Sequence, residues 1–128
     1  MTPKFAAKIF AILIAGLAAF QMALAAGLPW GEFAMGGAFP GTFPPAMRVA
    51  AVVQVGVLAL VAMVILSRAE LALPSWRRAS RYLTWVIVVL FGIGSLLNLI
   101  TPSARERMIW APVAIALFLC ALRVAASR

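Results

Sequence analysis

The chain has 128 residues, enough for one domain, yet 66% of them are hydrophobic, 11% are charged and mean hydropathy is +1.10. A soluble domain carries about 25% charged residues, so a domain wetted on every side is excluded. The net charge of +8 does not call for nucleic acid, because the basic residues stand between long apolar runs and not along one face.

A bilayer core takes about 20 mainly apolar residues in helical form. Four stretches qualify, roughly 5–28, 48–66, 83–100 and 108–125. The runs are too long and too unbroken for strands, which would alternate. The sequence therefore predicts an all-α fold, an integral membrane four-helix bundle in one domain. Lys4 and Lys8 ahead of the first run, with Met22-Ala23-Leu24-Ala25-Ala26 near its end, imitate a secretory signal. The apolar run exceeds the roughly 7–15 residues of a signal core, so a retained helix is expected. Along it Ala7, Ala11, Ala15, Ala19, Ala23 and Gly27 recur every fourth residue. Such a row can form a small-residue ridge for close helix approach, within the bundle or toward a second copy or larger membrane complex. An alanine-rich span also produces such a row by chance.

Between the first two helices lies a long loop rich in Gly, Pro and aromatic residues. Trp30, Phe33, Phe39 and Phe43 give it apolar surface to bury, unlike a polar, Ser-rich tether. It is expected to be structured, folding back as a lid or dipping into the membrane interface. The next connection is short and basic. Ser75 is expected to cap a turn through Trp76-Arg77-Arg78-Ala79-Ser80-Arg81 lying on anionic headgroups, although arginines there would also serve topology alone. With the N-terminus inside, Lys4, Lys8, Arg68, Arg77, Arg78, Arg81, Arg123 and Arg128 fall on the inner side, and only Arg48, Arg105 and Arg107 on the outer. The positive-inside rule then places both termini in the cytoplasm of a multi-pass inner (plasma) membrane protein. Trp30 and Trp110 would anchor the outer interface, Trp76 and Trp85 the inner.

Polar residues inside spans become informative once depth is assigned. At about 1.5 Å per residue, Gln21 lies roughly 10 Å below the outer edge and Gln54 roughly 9 Å. Ser95 is at similar depth, with Asn98 nearly one turn further out on the same face. Above them stand Glu32, Arg48, Arg105, Glu106 and Arg107, on the same side as Trp30 and Trp110. The inner half carries no matching amides. Amides in hydrocarbon need partners, so Gln21, Gln54 and Asn98 are expected to face the interior, either as interhelical glue or as the floor of a polar vestibule. Arg48 is the expected partner of Glu106, and Glu32 that of Arg107. With no histidine and one cysteine, Cys120, no C-x-x-C pair, catalytic residue, metal or cofactor is expected. Glu32 or Glu106 as an enzymatic acid–base would lack a nucleophile–base partner.

Pro29-Trp30-Gly31, Gly36-Gly37, Gly41 and Pro44 with Arg48, followed by Asn98, Ser103, Glu106-Arg107, Trp110 and Pro112, resemble a widespread family of small bacterial four-span membrane proteins of unknown function. The resemblance covers most of the chain from the end of the first helix onward, and it implies the four-span fold but no activity. Small multidrug exporters need a glutamate within the first helix, which this chain lacks, and fluoride channels carry a different Gly/Arg signature. The expected function is non-catalytic, a binding or accessory role at an outer-leaflet polar site. The alternative is a small transporter or channel subunit using the same polar residues.

Overall fold

Local chemistry sets where each helix starts and stops in the computed structural model, which describes residues 1–127 apart from the side chain of Met35. Arg128, counted above among the inner-side charges, lies outside the described residues. Helix α1 (Pro3–Ala25) opens with Thr2, whose hydroxyl accepts from the Phe5 amide at 3.1 Å, and with proline in its first turn. It closes three residues sooner than hydropathy implies. Gly27 takes φ +99°, and the Leu28 amide reaches back to the Ala23 carbonyl at 3.0 Å. This is the Schellman arrangement that glycine permits after a helix.

Helix α2 (Pro45–Arg68) starts three residues before the expected boundary, again on a first-turn proline. A 3-10 turn at Pro74–Trp76 runs directly into α3 (Arg77–Ile100). The basic run expected as a connection is therefore the first turn of a helix. Ser75 does not cap it; Trp76 holds the cap position without a side-chain hydrogen bond. Hydropathy reports where a chain leaves hydrocarbon, not where its backbone hydrogen bonds end, and Arg, Ala and Ser all tolerate a helix. Helix α4 (Ala104–Ala125) starts four residues before its apolar run. Ser103 accepts from the Glu106 amide at 3.2 Å, the Ser-x-x-Glu spacing of a helix start.

The fold is all-helical, with four helices long and apolar enough to cross a membrane; it is a multi-pass membrane protein. Helix α1 packs along α2 and α4, and α3 packs along α4, while α2 and α3 touch sparingly. The bundle is therefore open along one side. Both termini lie at one end with the 69–73 connection, and the long loop meets the 101–103 turn at the other. Packing is uneven between the two halves. The main core occupies the termini half, with Phe10, Ile14, Ile65, Ala121 and Val124 almost fully buried. Phe10 meets Phe91 edge-on at 5.5 Å. The loop half holds only a small cluster of Leu24, Phe43 and Ala51.

The alanine row is not a seam within the chain. Ala7 is buried, but Ala15 and Ala19 are exposed, and α1 buries Ala6, Ala7, Phe10, Ile14 and Leu24. Each four-residue step advances about 400°, so the row drifts about 40° per step and winds off the packed face. Side-by-side contact follows a mixture of three- and four-residue steps, which a strict four-residue repeat does not keep on one face.

Candidate functional site

The loop half contains a cavity of about 540 Å³ lined by all four helices and the long loop. Its exposed lining residues, Ala50, Gln54, Val57 and Leu90, all stand on α2 and α3, so it opens between those two helices. Ligand sites commonly span roughly 300–1,000 Å³. Its apolar wall is built by Leu17, Val57, Val61, Leu90, Val113 and Leu117. Phe33, Ala34 and Phe43 from the long loop close it over, with Met47 beside them at the start of α2. The loop thus folds back onto the helices as expected, and Phe43 is 5% exposed.

Loop placement depends on close backbone contact. The Gly31 amide donates to the Gly41 carbonyl at 2.9 Å. A Cβ at Gly31 would lie 1.9 Å from the Phe39 carbonyl oxygen and 2.7 Å from that of Gly41. The loop is also tied to the start of α4: the Ser103 hydroxyl donates to the Glu32 carbonyl at 2.8 Å while accepting from the Glu106 amide. One hydroxyl joins loop and helix.

Of the residues singled out in sequence, Gln21, Gln54, Asn98, Glu106 and Trp110 line this one cavity. Gln21 and Asn98 are half-buried. Gln54 is exposed and not interior, because α3 does not close over that face of α2. Nor do the polar side chains bridge helices. Asn98 donates to the Gly94 carbonyl at 2.8 Å and Ser95 to that of Phe91 at 2.7 Å, both one turn back on their own helix. Such back-bonding satisfies the Ser95 hydroxyl and one N–H of Asn98 within their own helix. Ser95 is buried behind the wall and Trp30 lies outside it, exposed, its ring parallel to Phe20 at 6.5 Å. Phe20 in turn packs on Trp110 at 4.8 Å. The indole N–H of Trp110 is buried without an acceptor.

The four-charge cluster does not form as expected. Arg48 donates to the Ala25 carbonyl at 2.8 Å, capping α1, where a cation also suits the negative end of the helix dipole. Arg107 donates to the Thr101 carbonyl at 2.7 Å, and the Thr101 hydroxyl donates to Glu106 at 3.0 Å. Glu32 pairs with Arg105 at 2.8 Å, the one salt bridge among the described residues. Unmet carbonyls at helix ends compete for arginines as effectively as carboxylates do. The Ser-x-x-Glu spacing could have revealed the Ser103 cap; the sequence put Arg105 on the same side as Glu32 without pairing them, and nothing in it pointed to Thr101 for Glu106. The consequence is electrostatic. Glu106 is the single charged side chain lining the cavity, and no described cation bonds to it. Among the described residues no cluster of His, Cys, Asp and Glu is placed to hold a metal.

Below the polar end, the α2–α3 side continues into a groove of about 410 Å³ that shares Val61 with the cavity. Leu60, Val64, Leu83, Val86 and Ile87 line it, with Ser75 and Trp76 at the termini end. Compared with known proteins, the chain matches no family model, no curated protein and no solved structure.

Proposed function

We propose that this is a non-catalytic, inner-membrane binding protein that takes up an amphipathic molecule from the bilayer through the α2–α3 side. The carrying observation is the cavity itself: its mouth lies between helices and its polar groups gather at the loop end. A membrane amphiphile has matching parts, with an apolar chain for Val57, Val61 and Leu90 and a polar head for Gln21, Asn98 and Glu106. By the positive-inside count the loop end faces outward, which puts the head in the outer leaflet. The groove below is lined almost wholly by apolar residues, which favours a bound hydrocarbon chain over a path for polar solutes.

Gly94 supplies the test. It lines the cavity and a Cβ there meets nothing within 4 Å, so Gly94→Leu should fill the space without crowding the bundle. Wild type purified in mild detergent should retain a bilayer amphiphile detectable by native mass spectrometry, and Gly94→Leu should lose most of it while keeping its melting temperature. Equal retention by both proteins, or none by wild type, counts against the lateral site.

A further inference from the structure

We infer that the bound molecule carries an uncharged, hydroxyl-bearing head, as in a long-chain alcohol or an acylglycerol, and not a phosphate or an ammonium. The inference rests on the lateral site proposed above and concerns which head that site accepts.

Three arginines surround this end of the bundle, yet none lines the cavity. Arg48 is held by the Ala25 carbonyl, Arg105 by Glu32 and Arg107 by the Thr101 carbonyl. The charge left facing the cavity is the carboxylate of Glu106. A phosphate would enter beside a like charge with no cation to receive it. The remaining groups separate an alcohol from an amine. With its NH₂ turned to Gly94, Asn98 offers its carbonyl oxygen, and Glu106 keeps acceptor capacity beyond its bond from Thr101. Donors stand beside these acceptors: the side-chain NH₂ groups of Gln21 and Gln54, the second N–H of Asn98, and the Trp110 indole N–H in the same wall. An ammonium has donors alone and leaves these amide and indole donors unpaired, whereas a hydroxyl both donates and accepts. The indole N–H is covered in this structure, so the ring must turn toward the head to meet it.

The experiment uses three probes that share one oleyl-length chain bearing a mid-chain diazirine: a monoacylglycerol, an alkyl phosphate and an alkylamine. The full chain is placed in phosphatidylcholine nanodiscs, crosslinked, and mapped by mass spectrometry, with relative affinity taken from competition. The monoacylglycerol should label Val57 or Leu90 and outcompete the phosphate by about tenfold, the scale of one hydrogen bond to a charged group. Glu106→Gln, which keeps the helix start, should narrow that preference by at least about threefold. Phosphate or amine binding as tightly as the monoacylglycerol, still labelling Val57 or Leu90, overturns the head assignment and leaves the lateral site standing. No labelling there by any of the three overturns both.

Discussion

The two halves of this bundle are built from the same four helices and solve the same problem differently. In the termini half, Phe10, Ile65, Ala121 and Val124 fill the interior. In the loop half the helices stand further from closure, and aromatic residues of a loop cover a cavity instead. Arginines behave alike at both ends: Arg48 and Arg107 bond to backbone carbonyls at one, Arg68 and Arg123 to the Ser127 and Met1 carbonyls at the other. Positive charge therefore does not distinguish the half that holds the cavity. What distinguishes it is polarity within the spans combined with space.

The comparison breaks most easily at the loop. Gly31→Ala would drive a methyl group to within 1.9 Å of a backbone oxygen, a distance no rotamer change relieves. A destabilisation of roughly 3–5 kcal/mol is expected, at the upper end for one substitution. The loop half should loosen first. A reporter cysteine at Phe43 should become reactive to thiol reagents in the Gly31→Ala background, while Cys120 in the termini half stays protected. Equal gains at both sites would mean that the halves do not behave separately.

Arg48→Ala should come next. It removes a charged donor from the half-buried Ala25 carbonyl, a loss on the order of 2 kcal/mol. A lowered melting temperature with partial recovery in Arg48→Lys would fit a cap. If Arg48→Ala matched wild type, the α1 terminus would need no cap from α2. Ser103→Ala should cost about 1 kcal/mol, the usual loss of an N-cap hydroxyl, and should also free Glu32 from the start of α4. Faster hydrogen exchange at the Glu106 amide than at amides of the termini half is the measurement that checks it.

These effects bear on how much could be read from the chain alone. Four spans, the folded loop and the polar bias toward one half were legible, because each depends on composition summed over many residues. Helix starts at Arg77 and Ala104 were missed where charge hides a continuing helix. The ion pairs were missed because Arg48 and Arg107 chose carbonyls that exist only once α1 and α3 end where they do. Gln21, Gln54, Asn98, Glu106 and Trp110 came together in one cavity, but its apolar wall could not be named in advance. Val57, Leu90 and Val113 look like any other lipid-facing residues until α2 and α3 are seen to part.

The smallest effect concerns the one ion pair. Glu32 and Arg105 meet at 2.8 Å, but their side chains are 40% and 70% exposed. At such exposure the attraction is screened by water and salt, and ordering two long side chains offsets much of it. Glu32 also serves the fold through its backbone carbonyl, which accepts from Ser103 and survives any change of side chain. Arg105→Ala and Glu32→Gln should each cost under about 0.5 kcal/mol, and that difference should vanish at about 1 M salt. The pair lies beside the cavity and not in its lining, so neither variant should alter amphiphile retention. A loss of retention in Arg105→Ala, at unchanged melting temperature, would draw this arginine into the site and remove the argument that Glu106 faces the cavity without a cation.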